Sequence, residues 1–220
     1  KKLLAYHRFA VPEYEAFRIG RPIRKAKRLN FPLMVKSLTQ EASIGISQAS
    51  VVDSDEKLKE RVTFIHESIG TSAIVESYVE GRELYVGILG NQVLQSLPVW
   101  ELFFTNMPPE ARRIATDRVK WSVKYQKKYG IDSGPARELP EALSERIQHI
   151  CKRAYRGLEL SGYARIDLRL DEAGNVWVIE ANPNPQIAKG EDFAASADKV
   201  GITYESLLQR IVNLGLRWQP

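Results

Sequence analysis

Apolar and polar positions alternate over Tyr163-Ala164-Arg165-Ile166-Asp167-Leu168-Arg169-Leu170 and again over Val176-Trp177-Val178-Ile179-Glu180-Ala181-Asn182. A two-residue period marks half-buried strands. The intervening Asp171-Glu172-Ala173-Gly174-Asn175 supplies the Gly and Asn that a tight reversal needs. The pattern predicts a β-hairpin. Ile166, Leu168 and Leu170 form the apolar set of its first strand; Trp177, Ile179 and Ala181 form that of the second. The sets share a face when Leu170 pairs with Trp177, Leu168 with Ile179 and Ile166 with Ala181. The same register sets Asp167 opposite Glu180 and Arg165 opposite Asn182. A three-residue loop with Gly174 in the left-handed region would shift the pairing by one and split the apolar face, so burial argues against it.

Elsewhere the pattern predicts a first helix ending before Pro12, a strand over 13–19, a short buried strand over 31–36, a small-residue loop over 39–47 and a strand around 50–52. Asp53 or Ser54 caps a helix that runs to about Ser68. A strand over 73–79 is broken by Gly81, and strands over 83–89 and 92–100 flank a Gly90-Asn91 turn. A loop over 103–115 and a strand over 118–125 follow. Pro140 opens a long amphipathic helix to about Leu160. After the hairpin come a loop with Pro183 and Pro185 and helices from about Asp192 and Tyr204. Strands and long helices without regular alternation indicate α+β lobes rather than a doubly wound parallel sheet.

The 220 residues are 44% hydrophobic, enough for one sizeable core or two lobes around a cleft. No apolar run approaches the roughly 18 residues of a membrane span. The start, Lys1-Lys2-Leu3-Leu4-Ala5-Tyr6, is too short in apolar length for a signal peptide and lacks an initiator Met, as expected of a trimmed piece. The single Cys151 excludes an intrachain disulfide and suits a reducing compartment, the cytoplasm. His7, His66 and His149 lack metal-ligand spacing. The net charge of +5 is concentrated between Arg18 and Arg28. That stretch reads as a solvated basic loop. As a nucleic-acid strip it lacks interleaved aromatic residues and ranks well behind. A positive field also favours an anionic nucleotide.

Facing carboxylates repel, so Asp167 and Glu180 call for a cation. With the Asn182 amide they form an oxygen-only set of the kind Mg²⁺ accepts. On the hairpin alone an equal reading is a solvated polar face on which Arg165 and Arg169 neutralise Asp167. Lys36, at a strand end, is either an ordinary surface charge or a point charge for phosphate. Ser43-Ile44-Gly45-Ile46-Ser47 is either a surface turn or a loop whose amides approach phosphates. Glu76-Ser77-Tyr78-Val79-Glu80-Gly81-Arg82-Glu83 joins two strands through a bend. Its backbone suits a purine edge and Glu83 suits ribose hydroxyls, the alternative being a hairpin with solvated acids. Lys124 is ambiguous by itself.

Taken in order, these parts resemble an ATP-grasp enzyme, closest to the D-alanine–D-alanine ligase group. The resemblance spans nearly the whole chain. It rests on Val35-Lys36, Ser43-Ile44-Gly45-Ile46-Ser47, Glu76 through Glu83, Arg165-Ile166-Asp167 and Glu180-Ala181-Asn182-Pro183. It implies an α+β ATP-grasp fold with ATP held between two lobes. Residues 1–30 would begin the central domain, 31–80 form the small lobe with a lid loop and 81–220 the large lobe with the Mg²⁺/ATP site. The N-terminal substrate domain of the same polypeptide would be missing. Lys36 would contact the α/β-phosphates. Glu76, Ser77 and Val79 would line the adenine pocket, and Glu83 would hold the ribose. Ser43 and Gly45 would cover the terminal phosphates, and Lys124 would stand near the γ-phosphate. Asp167, Glu180 and Asn182 would bind Mg²⁺, or Mn²⁺ in its place, and Arg165 would stabilise charge at the reacting centre.

The implied activity is ATP- and Mg²⁺-dependent joining of a small carboxylate to an amine through an acyl phosphate. The alternative is a non-ligating nucleotide-binding module, or the ATP-binding fragment of a larger ligase. Oligomerisation is left open, and D-alanine specificity does not carry over. Three features depart from the group's pattern. Gln186 follows Pro185 where a Gly is usual, Glu41-Ala42 replaces Gly-Ser in the lid loop, and Ala188-Lys189-Gly190-Glu191-Asp192 differs.

Overall fold

A computed structural model describes residues 1–40 and 43–218. The chain forms two compact units: Lys1–Val11 with Glu80–Phe103 and Ser133–Pro220, and Pro12–Val79 with Phe104–Asp132. Residues 105–130, which the sequence division placed in the large lobe, lie within the second unit. Among the described residues no helix is long and apolar enough to cross a membrane.

The first unit contains helix α1 (Lys2–Tyr6) and a sheet of β5 (Arg82–Leu89), β6 (Gln95–Ser96), β7 (Trp100–Phe104), β8 (Ile131–Pro135), β9 (Tyr163–Leu170) and β10 (Val176–Asn182). The order is β10-β9-β5-β7-β8, with β6 beside β5. Helix α5 (Glu141–Gly157) carries Ile147, Cys151, Ala154 and Tyr155 at helical spacing, all fully buried. They pack on Leu84, Val86, Ile88, Ile166 and Leu168 from one sheet face. Each such large side chain contributes about 1.5–3 kcal/mol by leaving water. Helices α6 (Asp192–Asp198) and α7 (Tyr204–Leu216) build a second cluster, in which Phe193, Ala197 and Leu207 meet Leu89 and Leu97.

The β9–β10 hairpin follows two registers. Near the turn Leu170 pairs with Val176, Arg169 with Trp177 and Leu168 with Val178. A bulge then absorbs Ile179, and beyond it Asp167 pairs with Glu180, Ile166 with Ala181 and Arg165 with Asn182. The outer half therefore matches the expected pairing, and the turn half takes the register shifted by one, against the expectation from burial. The cause is local. Gly174 adopts φ +79°, its amide donates to the Asp171 carbonyl at 3.0 Å, and Trp177 Nε1 donates to Asp171 Oδ2 at 2.9 Å. Val176 and Val178 then take the buried positions expected of Trp177 and Ile179. The extra residue restores parity, so both halves keep their apolar side toward the core. Lys1 Nζ donates to the bulged Ile179 carbonyl at 2.9 Å, and the Val178 amide donates to Ala10 O at 2.8 Å. These bonds cover the β10 edge.

The second unit contains β1 (Tyr14–Phe17), β2 (Leu33–Ser37), β3 (Val51–Val52) and β4 (Ala73–Ser77), ordered β1-β4-β2-β3 and antiparallel throughout. Helix α2 (Asp55–Phe64) starts where Ser54 Oγ accepts from the Lys57 amide at 3.3 Å. It seats Leu58 and Val62 on Leu33, Val35 and Val75. It continues as a wider helical turn over Ile65–Ile69 to Gly70, so the helical run ends where the sequence places it.

The strand expected over 118–125 is instead two short helices, α3 (Asp117–Trp121) and α4 (Val123–Tyr129). Thr116 Oγ1 accepts from the Val119 amide and Ser122 Oγ from the Tyr125 amide, each at 3.3 Å. These caps override an alternation that buries only Val119, since Trp121 and Val123 are exposed. The basic loop is only partly solvated. Lys25 Nζ donates to Leu29 O, Arg28 to Tyr14 O, and the Ala26 amide to Glu15 Oε2.

Gly81, in the first unit, has φ +142°, and a Cβ there would lie 2.1 Å from the Leu170 carbonyl oxygen. Gly81→Ala is expected to cost about 2–5 kcal/mol through combined strain and overlap. Gly162→Ala, at φ +75° with open space around it, should cost about 1 kcal/mol. Denaturant midpoints of the two variants check this.

Candidate active site

On the face of the first sheet away from α5, β5, β9 and β10 align polar side chains in rows. Glu83 pairs across β5–β9 with Arg169, Tyr85 with Asp167 and Gly87 with Arg165. Asp167 and Arg165 continue to Glu180 and Asn182 on β10. Directly paired residues share a sheet face, so the two carboxylates stand on the same side, as the sequence predicts.

Arg165 clamps Asp167 with two hydrogen bonds, Nε to Oδ1 at 2.7 Å and a terminal nitrogen to Oδ2 at 2.8 Å. Its guanidinium also lies over the Tyr85 ring, 4.6 Å from the centroid. Burial alone would lower the Arg165 pKa, but the charge and hydrogen bonds of Asp167 reverse this and hold the guanidinium firmly protonated. Arg169, expected to help neutralise Asp167, is committed elsewhere. It donates to Glu83 Oε2 at 2.6 Å and to Gly81 O at 3.1 Å. Tyr85 donates its hydroxyl to the other Glu83 oxygen at 2.8 Å. Burial, and then the Glu83 and Asp167 carboxylates, push the Tyr85 phenol well above its usual range. Asn182 Oδ1 accepts from the Asn184 amide at 2.9 Å.

The chemistry of this set suits a hard divalent cation. Among the described residues no group of three or more His, Cys, Asp and Glu is placed to hold a metal. The donors are two carboxylates and an amide oxygen. An ionised carboxylate has about four lone-pair sites, and Arg165 takes one on each Asp167 oxygen, leaving two. Few protein ligands, with water and phosphate completing the shell, is the usual arrangement for Mg²⁺.

In the second unit Lys36 Nζ lies 2.9 Å from Glu76 Oε2, with the Glu76 side chain only 4% exposed. Register explains the pair: Met34 is opposite Glu76 and Lys36 opposite Ile74, so Lys36 reaches Glu76 diagonally on one face. The Ser77 amide donates to Glu13 O and the Tyr78 amide to Pro32 O, so neither faces outward as a donor. Ser43 is buried at φ +64°, and its hydroxyl donates to Ala115 O at 2.8 Å. Gly45 adopts φ +72°, and its carbonyl accepts from Arg61. The Ser43–Ser47 loop is thus tied to the 104–132 segment. The Glu41-Ala42 departure lies outside the described residues. Lys124 projects from α4 as an exposed side chain rather than from a strand.

Sequence reasoning missed the parts played by Tyr85 and Arg169. The signal was parity: Tyr85 is two residues from Glu83 on β5, and Arg169 two from Asp167 on β9. A separate pocket of about 320 Å³ in the first unit, between α7 and the turn after β5, contains none of the residues above.

The family model described as D-ala D-ala ligase C-terminus matches residues 4–213. A D-alanine–D-alanine ligase of Desulforudis audaxviator is 30% identical over 219 residues, 97% of this chain and 66% of that protein. One from Desulfotalea psychrophila is 32% identical, over 86% of this chain and 55% of that protein. The crystal structure of a Bacillus anthracis D-alanine–D-alanine ligase complexed with ATP superposes with a TM-score of 0.76 at 23% identity. That match covers 98% of this chain and 64% of the other. The chain thus spans about half to two thirds of the length of the relatives it matches.

Proposed function

The chain belongs to the D-alanine–D-alanine ligase family, and from that premise we propose that it serves an ATP- and Mg²⁺-dependent carboxylate–amine ligase of the ATP-grasp type, acting on amino-acid-like substrates. The observation that carries the reading is the placement of Arg165, Asp167, Glu180 and Asn182 on one sheet face. A carboxylate is a poor acyl donor because its leaving group would be oxide. Transfer of the ATP γ-phosphoryl group to the carboxylate oxygen makes an acyl phosphate. Attack by an amine then forms the C–N bond and expels phosphate. Both steps gather negative charge on oxygen, and positioned cations answer that charge.

Asp167, Glu180 and Asn182 are the proposed Mg²⁺ ligands, with Mn²⁺ as a substitute. The ion would supply charge neutralisation at the phosphates. Arg165 stabilises the developing oxyanion, and its clamp on Asp167 fixes its direction. Lys36 binds the α/β-phosphates, and Glu76 orients Lys36 through their ion pair. Adenine recognition falls to Glu76, to Ser77 through groups other than its amide hydrogen, and to the Val79 backbone. Glu83 holds the ribose. Ser43 and Gly45 position the loop over the terminal phosphates, and Lys124 serves the γ-phosphate.

Saturating ATP with Mg²⁺ is expected to raise the melting temperature, and ATP with EDTA to do so much less. Ligand at about 100 times its Kd contributes about 2.7 kcal/mol. Magnesium-dependent ADP release across a panel of amino acids tests ligation itself. Absence of both responses would refute the assignment.

A further inference from the structure

We infer that Tyr85 is a positioning residue joining the sugar-binding end of the nucleotide site, Glu83, to its reacting end, the Arg165–Asp167 pair. This rests on the proposed role of Glu83 with ribose. One side chain makes both contacts. The hydroxyl donates to Glu83 Oε1 at 2.8 Å, and the ring lies under the Arg165 guanidinium at 4.6 Å. Tyr85 is also the direct cross-strand neighbour of Asp167, and it is 5% exposed.

The two contacts do separable work. With Arg169 on Oε2 and Tyr85 on Oε1, Glu83 is held from both sides while keeping a lone-pair site on each oxygen. That is the acceptor pattern a vicinal diol requires. The ring presents its negative face to Arg165, which restricts the guanidinium to the plane in which it grips Asp167. Losing the hydroxyl should therefore loosen sugar recognition, and losing the ring should misalign the reacting end.

The test compares wild type, Tyr85→Phe and Tyr85→Met with ATP and 2′,3′-dideoxy-ATP, reading KM and kcat for ADP release. Wild type is expected to prefer ATP by about tenfold. Tyr85→Phe should reduce that preference to about twofold to threefold while kcat stays within about twofold of wild type. Tyr85→Met, which fills the volume without an aromatic face, should lower kcat by about threefold to tenfold, and Phe should rescue it. An unchanged sugar preference in Tyr85→Phe overturns the link to Glu83. Equal kcat in the Phe and Met variants overturns the link to Arg165. If wild type itself shows no sugar preference, the ribose role of Glu83 falls first and the inference with it, a pattern distinct from either failure of Tyr85.

Discussion

Glu180→Gln is expected to depress magnesium-dependent ADP release by about 100- to 1,000-fold, the scale seen when one group that stabilises transition-state charge is removed. The substitution keeps size and hydrogen-bonding capacity but deletes a charge opposite Asp167. Glu180 is exposed on edge strand β10, so the melting temperature without ligand should stay within the equivalent of about 0.5 kcal/mol. Asp167→Asn should lower activity comparably, but it also releases the Arg165 clamp and so perturbs two functions at once. Titrating Mg²⁺ separates weak metal binding from slow chemistry. Near-normal turnover of Glu180→Gln at low Mg²⁺ would remove the carboxylate pair from the mechanism.

A second large effect, this one on stability, is expected from a residue outside the metal set. Arg169→Met should cost about 3 kcal/mol, because it strands the Glu83 carboxylate in a nearly buried position. The two side chains are 8% and 14% exposed and meet at 2.6 Å. For a chain of this size that cost corresponds to a fall of about 6–12 °C in melting temperature. Removing both partners, as Arg169→Met with Glu83→Leu, should recover part of the loss, since no uncompensated charge remains although the Tyr85 hydroxyl loses its acceptor. Calorimetry on the single and double variants measures the difference. An equal loss in both would mean that packing of the arginine stem, rather than its charge, holds the strands together.

Much of this architecture was legible where one physical signal dominated. The amphipathic pattern after Pro140 gave α5, and the Asp53-Ser54 pair of candidate caps gave the start of α2, where Ser54 is the cap. The pairing of Asp167 with Glu180 followed from alternation in β9. The turn-proximal register did not, because Val176 and Trp177 are both good strand residues and alternation cannot choose between them. The choice was made by the Trp177 indole bond to Asp171 and by the Gly174 conformation. The segment around Lys124 misled for a related reason: its period of two competes with two hydroxyl caps, and local hydrogen bonds decide when little is buried. The contacts of Lys36 with Glu76 and of Arg169 with Glu83 were hidden because they depend on strand partners remote in sequence.

The bulge at Ile179 separates side-chain identity from aim. Deleting that one residue would give an unbroken ladder in which Glu180 still meets Asp167 and Asn182 still meets Arg165. No interior valine would move. Only the curvature of the strand, and hence the angle at which two ligands are presented, would change. Insertion or loss of a single amino acid at such an edge therefore lets a lineage re-point its reactive groups while the interior stays as it was.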